Sequence, residues 1–477
     1  MNKTYPLMLV AGLSATNATC REAPGNKHPN IIFILADDLG YSELGCYGNK
    51  FNETPNLDLL ARDGVRFTQA YAAAPVSSPF RASLLTGQYP VRSGITDYLR
   101  PNAPKFLDTL NVTLPEALKM NGYHTGIIGK WHLTGYRSNK APIEVSPGRH
   151  GFDEVLSSET TGIGDGTYFW PYHFNPDLPK KLGSEHEFIV DRMNLEALEF
   201  IERNSKGPFF LYLSHYAIHT MIHGQPEVVD HFRAKPEAGK SAPSANNSAN
   251  DPYKKWPSDY FAKKNNPHLA AQLKVIDEGV GLIREKLKQL GIENNTIIIF
   301  TSDNGGETRV TDNYPLRAGK STLYEGGVRE PFLIYQPGKI TGGRIINEPM
   351  ATYDIYPTLC ELTGTSVPES QKIDGVSLAG SLIKNKITKE TRSFYWYYPL
   401  DQPHFLGGRS ASSIRRGDWK LIEFFDTGEI ELYNLKEDLS EKQNLVNVNP
   451  EKAAELHSLL IKWREETVPR SLSVNAK

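Results

Sequence analysis

Two stretches of this chain leave little choice of architecture. Asn30-Ile31-Ile32-Phe33-Ile34-Leu35-Ala36 is a continuous apolar run that ends at once in Asp37-Asp38-Leu39-Gly40. Far downstream, Asn295-Thr296-Ile297-Ile298-Ile299-Phe300-Thr301-Ser302 repeats the design and ends in Asp303-Asn304-Gly305. Runs that are apolar at both odd and even positions read as strands buried on both faces, the kind found in parallel sheets covered by helices. Carboxylates at the ends of such strands cannot be buried unpaired, because desolvating an isolated charge is too costly. In open α/β sheets ligands collect beyond the carboxyl ends of the strands, so both clusters are expected to face one crevice. Asp37, Asp38, Asp303 and Asn304 offer hard oxygens and no cysteine, which suits Ca²⁺ or Mg²⁺ rather than zinc. Either pair alone is explained as well by a capped turn or a helix start.

A third stretch adds chemistry. Ser77-Ser78-Pro79-Phe80-Arg81-Ala82-Ser83-Leu84-Leu85-Thr86-Gly87 predicts a turn feeding a short helix. Pro79 suits the first helical turn, and Gly87 suits a left-handed end. Ser77 then lies where free amides and the helix dipole favour an anion, with Arg81 one turn on. A serine cap with a surface arginine explains any S-x-P-x-R taken alone. The whole pattern S-x-P-x-R-x-x-x-x-T-G, however, resembles the signature of the type I sulfatases, whose first residue (Cys or Ser) is oxidised to formylglycine.

Further motifs follow in that family's order. Tyr123 to Leu133 reads as a short strand and loop, and its Gly129-Lys130-Trp131-His132 is similar to the second sulfatase signature. After the strand Pro208–Ser214 come His215, His219 and His223 at four-residue spacing. A helical zinc site is the alternative there, but no companion carboxylate or cysteine follows. The segment better resembles the sulfatase A-P-H-x-P loop, with Ile218 and Met221 in place of its prolines. The run Gly319-Lys320-Ser321 through Glu325-Gly326-Gly327-Val328-Arg329 resembles the loop whose lysine contacts the sulfate ester.

The resemblance implies the following roles. A calcium ion is held by Asp37, Asp38, Asp303, Asn304 and position 77, where Ser77 becomes formylglycine. Arg81, Lys130 and His132 attend that group, Lys320 and His219 contact the sulfate, and His219 protonates the departing alcohol while His132 serves as the later base. His215 and His223 are packing or rim residues, and Arg329 holds its loop together. A serine at the first position resembles the bacterial branch matured by a radical S-adenosylmethionine enzyme before export. The expected reaction is hydrolysis of a sulfate ester, with an O-sulfate on galactose or N-acetylgalactosamine as substrate. His173, at the end of the aromatic stretch Thr167–His173, together with His404 and Arg409, is expected to line the sugar pocket. Two alternatives stay open: a phosphodiester or phosphonate monoester hydrolase of the same superfamily, and a non-catalytic protein that binds sulfated glycans.

The remaining organisation is read from length and composition. A chain of 477 residues predicts one large domain and a smaller one. A net charge of −2 gives no basic field for nucleic acid. Three cysteines describe no disulfide scaffold. Lys3, the apolar run Pro6–Ala15 and the small residues near Ala18 read as a secretory signal peptide, too short to span a membrane. That predicts a periplasmic or cell-surface location, with Cys20 as the alternative lipidated residue. Phe232 to about Pro267 is polar and without period, and an amphipathic helix is expected from about Leu269 to Leu290. After residue 388 the pattern changes to short alternating strands and a closing helix from about Pro450 to Glu466. The expected division is therefore a leader and tail (1–27), a catalytic domain (28–388) and a C-terminal subdomain (389–477). The expected fold is α/β: a large, mixed, mostly parallel sheet sandwiched by helices, with a smaller α+β subdomain carrying an antiparallel sheet.

Overall fold

The structure is a computed structural model that describes residues 28–474 except 101–102, 135–144, 157–158, 160–167, 173, 176–177, 184–186, 221, 241–258 and 385–390. The expected leader with Cys20, residue His173, Met221 and the boundary expected at 388 lie outside the described residues.

The apolar runs become adjacent central strands. In chain order the strands of the large sheet are β1 (Asn30–Ala36), β2 (Val65–Tyr71), β3 (His124–Gly129), β4 (Glu154–Leu156), β5 (Phe209–Ser214), β6 (Thr296–Ser302), β7 (Arg329–Tyr335), β8 (Arg344–Ile346) and β9 (Met350–Ala351). Their order is β4-β3-β5-β1-β6-β7-β2-β8, with β9 also paired to β2. From β4 to β6 every pairing is parallel, whereas β7 runs antiparallel to both β6 and β2. The sheet is thus mixed and mostly parallel, as expected.

Helices cover both faces: α1 (Pro55–Asp63), α2 (Ser77–Thr86), α3 (Leu114–Met120), α4 (Ile189–Asn204), α5 (Pro226–Arg233), α6 (Pro267–Gln289), α7 (Glu325–Val328), α8 (Ile355–Thr363) and α9 (Ala379–Lys384), with α10 (Pro450–Thr467) near the C-terminus. Alternation along β1 explains why its sequence is apolar throughout. Ile32 and Ile34 pack with Met193, Phe200, Leu273 and Ile276 of α4 and α6. Ile31, Phe33 and Leu35 pack on the other face with Phe80 of α2, Leu118 of α3 and Leu359 of α8. Local signals hold too: the Glu116 carboxylate accepts the Thr113 N–H at 2.7 Å, and Asn266 caps α6 by accepting from His268 and Leu269.

Register sets up what lies at the sheet edge. Ala36 of β1 pairs with Ser302 of β6. Asp37 and Asp303 therefore leave the sheet side by side.

A second sheet of four antiparallel strands follows: β10 (Ser393–Tyr398), β11 (Ala411–Arg416), β12 (Trp419–Phe424) and β13 (Ile430–Asn434), in that order. It grips the segment between β6 and β7. Lys420 Nζ of β12, fully buried, donates to Glu325 Oε1 at 2.9 Å and lies 3.0 Å from Glu441 Oε1. Glu441 Oε2 accepts the Glu325 N–H at 2.6 Å. Tyr71 and Arg329 donate to the other Glu325 oxygen at 2.7 and 3.2 Å. Arg317 donates to Tyr433 Oη and to the Glu441 carbonyl. Burial raises both acids, but the Lys420 and Arg329 charges hold Glu325 down at about 2. Burial and the Glu325 charge, only partly opposed by Lys420, push Glu441 up to about 7.

That asymmetry has a measurable sign. A raised acid keeps its proton in the folded state where the unfolded chain, near its ordinary value of 4.5, has lost it. Its contribution to stability therefore falls as pH rises from about 4.5 to 7 and is fully unfavourable above. The variant Glu441→Gln is expected to show a flatter decline of urea-unfolding stability across that window than the wild type.

Candidate active site

Four neighbouring parallel strands discharge functional residues at one edge. Lys130 follows β3, His215 to His219 follow β5, Asp37 and Asp38 follow β1, and Asp303 and Asn304 follow β6. The N-terminus of α2 brings Ser77 to the same point, with Gly87 closing that helix at φ 68°. Ser77 is 3 % exposed. Its Oγ lies 3.3 Å from Asp37 Oδ1 and accepts from Lys130 Nζ at 3.2 Å. Lys130 Nζ also donates to Asp37 Oδ2 at 2.5 Å.

Arg81, one turn along α2 and wholly buried, ties the strand ends together. It donates to Asp303 Oδ2 at 2.9 Å, to Ser214 Oγ at 2.6 Å and to the Lys130 carbonyl at 3.0 Å. Asp38 takes a left-handed backbone, φ 64°, which lets its N–H donate to Asp303 Oδ1 at 3.1 Å. Its carboxylate accepts Lys320 Nζ and Asn304 Nδ2, each at 2.7 Å.

Oxygens of Asp37, Asp38 and Asp303 all lie within 4.8 Å of one another, and all three residues are buried. Burial and the neighbouring Asp37 charge raise Asp303. Burial would raise Asp38 as well, but Lys320, His219 and Lys130 hold it well below the usual carboxylate range. Asn304 Oδ1 is buried and accepts no hydrogen bond from any described residue. Three converging carboxylates and an orphaned amide oxygen form a donor set that fits a hard cation such as calcium. Formally, three negative charges face Arg81, Lys130 and Lys320, so the site is balanced as it stands. An added divalent ion would leave it positive and ready for an anionic ester.

The histidines divide by position. His219 donates from Nδ1 to the Thr220 carbonyl, and its Nε2 lies 3.7 Å from Asp38 Oδ2. Burial and then the Lys320 charge lower it to about 3, so the ring is neutral. His132 binds the Leu99 carbonyl through Nε2 at 2.9 Å. Burial and the Lys130 charge hold it well below its ordinary value, leaving Nδ1 as the basic nitrogen. His215 is 1 % exposed and its N–H extends the sheet to Leu35, while the His223 ring packs on Tyr260.

Among the residues expected to touch substrate, His404 lies near enough for the Lys320 and Asp38 charges to act on it. Arg409 follows Gly408, which packs on Ser321, and is held by acidic partners. It pairs with Asp426 at 2.8 Å and Glu429 at 3.1 Å and lies over the Phe424 ring, at the turn joining β12 and β13. Arg329 binds the Thr68 carbonyl and Glu325, which fastens its loop.

Sequence reasoning missed two supports. Glu159 accepts the Trp131 and His132 N–H groups at 2.9 and 2.5 Å and sets the φ 54° bend of His132. Tyr168 donates to the Tyr216 and His219 carbonyls at 2.7 Å each and braces the histidine loop. Neither has a local pattern that announces it.

Comparison with known proteins bears on this geometry. Residues 29–365 match the sulfatase family, and residues 318–466 match the C-terminal region of N-sulphoglucosamine sulphohydrolase. The steryl-sulfatase of Rattus norvegicus is 31 % identical over 83 % of this chain and 77 % of its own length. The N-acetylgalactosamine-6-sulfatase of Homo sapiens is 32 % identical over 77 % of this chain and 68 % of its own. The crystal structure of Ps i-CgsB in complex with k-i-k-neocarrahexaose superposes with a TM-score of 0.77 at 30 % identity, covering 94 % of this chain and 95 % of that one. With nearly the whole chain matched in sequence and in fold, this protein belongs to the sulfatase family and is a sulfuric ester hydrolase.

Proposed function

We propose that the enzyme removes an O-sulfate from a glycan, galactose or N-acetylgalactosamine being the sugar, using formylglycine at position 77 and a calcium ion. The observation that carries this reading is the seat of Ser77: its oxygen touches Lys130 and Asp37 at 3.2 and 3.3 Å, at the mouth of a buried three-carboxylate cluster. A simple serine nucleophile gains nothing from three carboxylates. A group that must be held beside a cation does.

Asp37, Asp38, Asp303 and Asn304 would hold the ion together with the oxygen of position 77. When present, the calcium supplies a double positive charge against the anionic oxygens of the ester, and the formylglycine supplies a hydrated aldehyde as nucleophile. Every other role falls to side chains described above. Lys130 donates to the oxygen of position 77 and fixes it against Asp37. Arg81 keeps that oxygen, β3 and β6 in one frame. Lys320, held at Asp38, donates to the ester oxygens and stabilises the charge that builds on them. His132 takes a proton at Nδ1, its tautomer set by the Leu99 carbonyl. His219 needs a second proton before it can serve as the acid, because its Nδ1 proton is engaged by Thr220. An anionic ester at Lys320 would offset the charge that now depresses the ring.

A glycan substrate is supported by the bound neocarrahexaose of Ps i-CgsB and by the N-acetylgalactosamine-6-sulfatase relatives. His404, which the Lys320 and Asp38 charges reach, would contact the glycan beside the sulfate site. We further propose export through the leader in residues 1–27, maturation by a radical S-adenosylmethionine enzyme, and division into domains near residue 388. These rest on sequence alone. No described helix is long and apolar enough to cross a membrane.

The phosphonate monoester hydrolase of Agrobacterium radiobacter shares the fold with a TM-score of 0.67 at 22 % identity. A substrate panel separates the activities: aryl sulfate, sulfated galactose and N-acetylgalactosamine, aryl phosphate and a phosphodiester, with protein co-expressed with the maturation enzyme. Dominant release of sulfate, greatest from a sulfated sugar, is expected. Dominant phosphodiester turnover would sink the reading.

Metal binding is tested without turnover. Calcium at a hundredfold excess over Kd should stabilise the wild type by about 2.7 kcal/mol in thermal unfolding. EDTA should remove that gain, and Asp303→Asn should abolish it.

A further inference from the structure

Beside the cluster lies an open cleft of about 940 Å³, walled by residues 96–100 and 103–105 on one side and 399–405 on the other, with residues 471–474 also lining it. Both walls are anchored in the active site. The Leu99 N–H donates to Ser78 Oγ at 3.0 Å, and the Leu99 carbonyl receives the His132 ring at 2.9 Å, so the first wall begins one residue from Ser77. The second wall is seated beside Lys320. A Cβ at Gly408 would meet the Ser321 carbonyl oxygen at 2.0 Å, so only glycine allows this turn to lie so close to the catalytic loop. Gly407 closes the same turn at φ 92°, and the backbone bonds from His404 to Gly408 and from Gly407 to His404, both 2.8 Å, make it rigid.

Two side chains on that turn face the cleft. His404 Nδ1 accepts the Leu406 N–H at 3.2 Å, which leaves the ring proton on Nε2 as a donor. Burial and the Lys320 charge lower the group to about 4, so it stays neutral. Phe405 is 70 % exposed, yet it is not loose. Its ring stacks on His404 at 4.4 Å, and the Arg309 guanidinium lies 5.4 Å from its centroid. A single exposed apolar side chain is ordinary. One held flat against a histidine donor at the mouth of a hydrolytic site has the form of a sugar platform, with a ring for the apolar face and a donor for a hydroxyl. The cleft's charges are already matched in part, with Arg100 bound to Asp97 at 3.0 Å and stacked on Tyr98 at 4.2 Å. It therefore asks for hydroxyls rather than a second anion.

We propose that this cleft is a subsite for a neutral sugar residue attached to the one that carries the scissile sulfate, with Phe405 stacking on its face and His404 Nε2 donating to its hydroxyl. The proposal rests on the glycan sulfatase reading and makes the enzyme a reader of oligosaccharides rather than of single sugars.

The test compares a sulfated galactose or N-acetylgalactosamine monosaccharide with a tetrasaccharide carrying the same sulfated residue, using the full matured chain. The wild type should favour the tetrasaccharide by about tenfold in kcat/KM. The variant Phe405→Ala should lose that preference through KM, with monosaccharide turnover unchanged, and Phe405→Trp should retain it. Equal use of the two substrates by the wild type, or an equal loss on both in Phe405→Ala, overturns the subsite and leaves the sulfatase reading standing. A wild type that releases sulfate from neither overturns both.

Discussion

Burying Asp37, Asp38 and Asp303 within 4.8 Å of one another is tolerable only because Arg81, Lys130 and Lys320 are buried beside them. Unpaired, charges of one sign at such distances in a poorly solvated site would protonate or pull the strand ends apart. The fold brings the pairs together in an economical way. Parallel strands β3, β5, β1 and β6 lie side by side, and the zero offset between Ala36 and Ser302 makes their next residues neighbours. Arg81 reaches from α2 across three of those strand ends. The resulting balance is the physical reason for the proposed cation. Without one the site has no net charge with which to attract an anionic ester.

Lys320 is the one cation of the three that does not sit on the catalytic edge by virtue of a strand or α2. It lies on the segment between β6 and β7, and the antiparallel C-terminal sheet holds that segment through Lys420, Glu441 and Arg317. The same sheet supplies the 404–408 turn that rests on Ser321. The smaller sheet is thus part of the site's construction rather than an appendage. Its ion cluster is buried and costly to disturb, which keeps a lysine on a glycine-rich loop where chemistry can use it.

Much of this was legible in the sequence, and the reasons are physical. β1 and β6 announced themselves because two buried faces demand apolar residues at every position. The Ser77 helix was legible because Pro79, Arg81 and Gly87 each do a local job at fixed spacing. The apolar period alone places α6 within two residues of its start, whereas its cap Asn266 and first residue Pro267 read as the end of the polar stretch before it. What stayed hidden depends on contacts between distant residues. The antiparallel insertion of β7 between β6 and β2 has no local marker. Glu159 and Tyr168 act on the backbone of other segments and look like any acid or tyrosine. The acidic partners of Arg409 were equally hidden: Asp426 and Glu429 reach it only once β12 and β13 are joined by their turn.

The chemistry turns on what stands at position 77. A carboxylate cluster beside a plain serine would have little to activate, whereas the proposed aldehyde hydrate there gives each neighbour a role. Mass spectrometry of the peptide containing Ser77, from protein co-expressed with a radical S-adenosylmethionine maturation enzyme, tests this most directly. The account predicts loss of two hydrogens at Ser77, in proportion to the sulfate-releasing activity of the preparation. An unmodified serine in fully active protein, or one left untouched by a maturation enzyme that converts another serine-type substrate, would contradict it.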